Sequence, residues 1–77
     1  MREEVLDALP AVRVRLGSDV FSPADVVREM TRRGTKYSVA TIRTHVTSRM
    51  CRDAPTNHAV VYADLERVGR GLYRQIT

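Results

Sequence analysis

One cysteine, one phenylalanine and no tryptophan occur in this chain of 77 residues. A lone Cys51 makes no internal disulfide, which fits a reducing cytoplasm; the thiol reads as a buried structural group at the end of a helix. No apolar run approaches the roughly 18 residues of a membrane span. The opening MREEVLDAL mixes charged and apolar residues at helical spacing, unlike a signal peptide. A cytoplasmic protein with no membrane partner is therefore expected. Paired carboxylate clusters, a Cys/His pair at catalytic spacing and a glycine-rich phosphate loop are all missing, and Gly69-Arg70-Gly71 fits neither the P-loop nor the dinucleotide pattern. His45, Cys51 and His58 match no zinc spacing, so neither a metal nor a cofactor is expected. A chain this short makes one small domain, residues 1–77, with little room for an enclosed catalytic cavity. The chain reads as a non-enzyme.

What is present is cationic and unevenly placed. Thirteen Lys and Arg face nine Asp and Glu, a net charge of +4, and all but Lys36 of the cations are arginine. Residues 1–31 carry four cations and six acids, 4 − 6 = −2, whereas residues 32–77 carry nine and three, 9 − 3 = +6. A basic C-terminal side beside an acidic N-terminal one suits a molecule that turns one face to a polyanion. Arginine's planar fork matches phosphate and guanine well.

Apolar residues Val5, Leu6, Leu9, Val12 and Leu16 recur at three and four, predicting a first helix over residues 2–16. Pro10 interrupts that pattern. Either the helix kinks there or a turn precedes a helix starting at Pro10. Gly17 closes it. Asp19-Val20-Phe21 reads as a short extended segment, with Phe21 buried. Ser22 is the natural N-cap of a second helix, with Pro23 first and Asp25 in the acid-favouring turn; Val26, Val27 and Met30 face inward and Gly34 ends it. Arg32 and Arg33 fall in its last turn, where they suit the helix dipole and could also touch phosphate.

Ser38 then N-caps the stretch SVATIRTHVTSRMCR. Val39, Ile42, Val46 and Met50 form one apolar stripe over a helix of about four turns. The other faces carry Ala40, Thr41, Arg43, Thr44, His45, Thr47, Ser48 and Arg49, without a single acid. Small hydroxyl and methyl side chains let a helix sink into a major groove, and the cations among them reach phosphates and base edges. None of the positions expected to point outward is a large apolar residue, which argues against a protein-binding surface. Two short helices joined by a Gly-containing turn form a helix-turn-helix, with Tyr37 packed between them. A loop over residues 54–58 follows, with His58 in it; Tyr62 is expected in the core or as a cap. Two short strands, 64–68 and 72–76, flank Gly69-Arg70-Gly71. Glycines on both sides supply the positive φ of a tight hairpin and put Arg70 at its tip.

TIRTHVTSRM followed by DLERVGRGLYR resembles the recognition helix and wing of small bacterial winged helix-turn-helix domains, including those beside restriction endonucleases, and VGRGLY is similar to the end of the HARE-HTH group. The likeness spans about residues 21–76. One departure is Gln75, where the pattern has an apolar residue. The resemblance implies an α+β fold, mainly α with a small β-hairpin: three helices and a two- or three-stranded sheet. By motif match it implies that Ala40, Thr41 and Thr44 face the groove. The expected function is double-stranded DNA binding, in transcription regulation or DNA targeting. The helix over 38–50 enters the major groove and the wing over 64–76 lies on backbone or minor groove. Thr41, Thr44, His45 and Arg43 contact bases, with Ser38, Ala40 and Ser48 on the same helix. Arg32, Arg33, Lys36, Arg49, Arg67, Arg70 and Arg74 clamp phosphate. A module of this size binds modestly alone, so a homodimer or a fused or partner enzyme domain is a further expectation. The alternative is a protein-interaction winged helix that tethers a partner enzyme.

Overall fold

Local signals set most of the element boundaries. The computed structural model describes residues 1–52 and 62–76; the loop expected over 54–58, including His58, lies outside the described residues. Helix α1 spans Arg2–Leu16 as a single helix carrying Pro10 inside it, so the helix does not start at Pro10 after a separate turn. Gly17 ends it in the left-handed conformation at φ 66°, its N–H bonded to the Arg13 carbonyl, a conformation that only glycine adopts without strain. Strand β1 is the two residues Val20–Phe21. Helix α2, Pro23–Arg32, starts at Ser22 with a full capping box: the Ser22 hydroxyl accepts from the Asp25 N–H, and the Asp25 carboxylate accepts from the Ser22 N–H. Each such cap is worth about 0.5–2 kcal/mol.

The third helical stretch differs from expectation. Helix α3 covers only Val39–Thr44, and the chain continues through a π-helical turn, His45–Arg49, where the Met50 N–H reaches back five residues to the His45 carbonyl at 3.0 Å. Residues four apart on an α-helix drift by about 40° around its axis. The wider π turn takes that drift back, so Ile42, Val46 and Met50 all stay in the core with Cys51 beside them. Val39, expected to head this stripe, is instead 51% exposed; it lies in the first turn, ahead of the stretch that packs on the core.

Strands β2, Leu65–Gly69, and β3, Leu72–Gln75, form the hairpin. Its tip is Arg70-Gly71, and only Gly71, φ 68°, takes the positive angle expected of both glycines. The ladder slips between Arg67 and Gly69, a bulge that accommodates Val68 and lets Gly69 pair with Leu72 directly. Gln75 pairs with Leu65, so the polar residue there does not end the sheet early. β1 adds to the other side of β3, Val20 opposite Arg74 and Phe21 opposite Tyr73, making a three-stranded antiparallel sheet in the order β1-β3-β2. Helix, strand, helix, helix and hairpin in this sequence give an α+β fold with winged helix-turn-helix architecture.

One core unites these elements. Val5, Ala8, Leu9 and Val12 of α1 meet Phe21, Val26 and Met30, then Ile42, Val46, Met50, Cys51, Leu65 and Tyr73. Tyr37 packs against it as expected, partly buried. Burial at this level is worth about 1.5–3 kcal/mol for each large apolar side chain. Tyr62 departs from its expected place: it is exposed and carries the Arg2 guanidinium 4.6 Å above its ring. Arg2 in turn grips buried Asp64 with two hydrogen bonds, Nε to Oδ2 at 2.6 Å and Nη2 to Oδ1 at 2.8 Å, tying the start of α1 to the start of β2. No helix among the described residues is long and apolar enough to cross a membrane.

Candidate nucleic-acid interface

The surface of interest starts at Ser38, whose hydroxyl accepts from the Thr41 N–H at 3.2 Å and donates to Thr41 Oγ1 at 2.9 Å. That cap orients the first turn of α3 and keeps Thr41 outward. Ala40, Thr41, Arg43 and Thr44 are exposed, as are Ser38 and Arg49; His45 and Ser48 are half-buried. The π turn also changes what lies beside the helix. Ala40, Thr41, Thr44, His45 and Arg49 line an open groove whose far side is Tyr62, fastened there by its N–H on the Arg49 carbonyl, 2.6 Å. Tyr62 is the member of this groove that sequence reasoning missed. Its neighbours in the chain resemble a strand, and only the closure of the chain back onto Arg49 and Met50 brings it here.

His45 stands apart from the hydroxyl residues. Burial first, then the positive charges of the N-terminal amino group and Arg49, hold its imidazole below the ordinary value, so the ring is neutral near pH 7. Its Nε2 is buried and has no hydrogen-bond partner among the described residues. Thr47 turns inward on its own helix, donating to the Arg43 carbonyl at 2.9 Å, and offers no free hydroxyl proton outward.

The arginines divide into two kinds. Arg32 and Arg33 both bond Glu29: Arg32 Nη2 to Oε2 at 2.8 Å and Arg33 Nε to Oε2 at 2.7 Å, with Arg15 Nη2 3.9 Å from Oε1. Glu29 is 2% exposed, and these hydrogen bonds, from Arg32 first, depress its carboxyl to about 2. A buried carboxylate on α2 was not expected from sequence; the three arginines explain why it can be there. On the sheet, Glu66 takes Arg52 and Arg74, each at 2.8 Å, so Arg74 is engaged within the wing. Arg67 bends to the Gly69 carbonyl at 3.3 Å. Arg43, Arg49 and Arg70, by contrast, form no ion pair among the described residues, and Lys36 lies 5.5 Å from the Tyr37 ring centre.

Among the described residues no three His, Cys, Asp or Glu side chains gather as a metal site would require. What the geometry defines is a small α+β domain of winged helix-turn-helix architecture with an acid-free helix face and a cationic hairpin tip. Over residues 4–75 the chain matches a family model described as a domain of unknown function, DUF7669, and the chain belongs to that family. No curated protein and no solved structure matches it.

Proposed function

We propose that this domain binds double-stranded DNA, with α3 and the following π turn in the major groove and the β2–β3 hairpin against the backbone or minor groove. The observation that carries this reading is the outward face of α3. Ala40, Thr41, Arg43 and Thr44 are exposed together, with no acid on the helix or the π turn. Thr41 and Thr44 have the size and hydrogen-bonding capacity for base edges, and Ala40 suits a thymine methyl. Arg43, Arg49 and Arg70 carry positive charge that no carboxylate among the described residues pairs with, which is the supply a polyanion draws on. Arg32, Arg33 and Arg74 contribute net field rather than free guanidinium groups. A binding module without catalytic chemistry, acting in regulation or in targeting an enzyme to DNA, is the role this supports.

The test is selection of the purified chain on a random duplex pool at two salt concentrations. Enrichment of a motif with affinity falling steeply in salt supports the reading. Absence of binding even at low salt overturns it. A second reading gains from one observation: Val39 is 51% exposed at the head of α3, and Val68 and Leu72 are each 43% exposed on the wing. Those apolar side chains suit a protein partner, and failure on DNA passes the weight to them.

A further inference from the structure

The groove beside α3 has one wall that the helix does not supply. Ala40, Thr41, Thr44, His45 and Arg49 line its helical side and Tyr62 stands across from them, so no acid is among these residues. Backbone hydrogen bonds fix the far wall: the Tyr62 N–H on the Arg49 carbonyl at 2.6 Å, then the Asp64 and Leu65 N–H groups on the Met50 carbonyl at 3.1 and 2.9 Å. The ring is also held by its face, with the Arg2 guanidinium 4.6 Å from its centroid and Arg2 itself bonded twice to buried Asp64. A cation over a ring offsets the negative potential of the π face, so Tyr62 is a better neighbour for an anion than an uncovered tyrosine. Tyr62 nevertheless remains 39% exposed. The Arg49 side chain is exposed and forms no ion pair among the described residues. The groove measures about 570 Å³, within the roughly 300–1,000 Å³ of small-molecule pockets. Because it is open to solvent, it suits a polymer laid along it rather than an enclosed molecule.

We infer that one backbone of the bound duplex lies in this groove, with a phosphate on the Arg49 guanidinium and the adjoining deoxyribose against the Tyr62 ring. This strand path rests on the proposed DNA-binding reading and adds to it a contact residue, Tyr62. A helix with its side chains is about 10–12 Å across, and a major groove is about 12 Å wide. The helix therefore fills the groove, and the two backbones that border it run close along its flanks. Buried Ile42 and Val46 mark the side of the helix turned to the core, and exposed Thr41 and Thr44 the side turned outward. Tyr62 faces the outward side across the groove. With Thr41 and Thr44 at the bases, the backbone on that flank meets Tyr62. The guanidinium offers donors to phosphate oxygens, and the phenol offers apolar ring surface to the sugar with a hydroxyl at its end. Neither group reads a base, so the contact fixes register and is shared by every sequence bound.

The test is hydroxyl-radical footprinting of the full chain on a duplex that it binds, together with replacement of single phosphates by uncharged methylphosphonate. The unaltered chain is expected to protect a run of sugars bordering the major groove and to lose affinity when a phosphate beside that run is neutralised. Tyr62→Ala should lower affinity about fivefold or more, remove the protection of those sugars and leave the salt slope unchanged, while Tyr62→Phe keeps the protection. Arg49→Ala should lower the salt slope by about one. In that variant the methylphosphonate at the same phosphate should cost nothing further, a result that a merely structural arginine would not give. Circular dichroism separates lost contact from lost folding, and if Tyr62→Ala does not fold, the phosphate scan with Arg49→Ala decides. Protection unaltered in folded Tyr62→Ala, or a methylphosphonate still costly in Arg49→Ala, overturns the strand path and leaves DNA binding standing. Absence of binding by the unaltered chain at low salt overturns both.

Discussion

Two sets of arginines in this small domain lead different lives. At the end of α2, Arg32 and Arg33 close on the buried carboxylate of Glu29; on α3, the π turn and the hairpin tip, Arg43, Arg49 and Arg70 meet no carboxylate among the described residues. Both sets lie in the basic part of the chain and look alike in a count of charges. The difference teaches that a cation's availability is decided by where the acids fold. A buried carboxylate needs its cations to offset desolvation, and those cations are no longer at liberty for another anion.

The largest effect that can test this contrast lies beneath the first set. Met30→Ala empties a fully buried site on the inner face of α2 and is expected to cost about 2–5 kcal/mol in denaturant unfolding, whereas Thr44→Ala on the exposed face is expected to stay within about 0.5 kcal/mol. An equal response at both sites would mean that α3 is packed against something on its outer side. Next comes pairwise discrimination on DNA. On the proposed reading, Arg43→Ala costs about 1–3 kcal/mol against the preferred site and relaxes preference at one position. Arg32→Ala is expected to lower stability more than it lowers DNA affinity, and the reverse order would break the comparison. Ser38→Ala, which removes the cap of α3, is expected to cost about 1 kcal/mol by thermal melting.

Smaller effects follow at the wing and in acid. Arg70→Ala is expected to weaken binding almost equally on all duplexes and to lower the salt slope by about one; unchanged salt dependence would remove the wing from the interface. For Glu29 the folded carboxyl lies at about 2, below its ordinary 4.5. A depressed carboxyl stabilises the fold above its unfolded value, and that contribution is lost as pH falls from 4.5 towards 2. Glu29→Gln should therefore remove part of the stability near neutral pH and flatten the acid limb between those values. An acid limb identical to that of the unaltered chain would show that Arg32 and Arg33 are not held by this group.

Most of the candidate surface was legible in the residues themselves. Ser38 as cap, the outward Ala40, Thr41, Arg43 and Thr44, and the arginine at the hairpin tip all stand where the spacing predicts. Val39 and Tyr62 were misread because their environment depends on distant segments: the first turn of α3 lies off the core, and Tyr62 is drawn to Arg49 and Arg2 rather than inward. Arg32, Arg33 and Arg74 were placed in the right elements, but their carboxylate partners were not foreseen. The single α-helix expected over 38–50 became α3 and a π turn, since a three-or-four pattern does not distinguish the two when four residues separate each buried pair.

By itself, the sequence determined what neighbours along the chain can settle. The capping box of Ser22 and Asp25, the left-handed stop at Gly17, the cap at Ser38 and the turn at Arg70-Gly71 each rest on groups a few residues apart. Tertiary structure decided which faces meet. It paired β1 with β3, though 50 residues lie between Phe21 and Leu72; it buried Glu29 among arginines and clamped Arg2 onto Asp64. The physical reason is that a local hydrogen bond forms within its own segment, whereas burial and ion pairing require the rest of the chain to be in place.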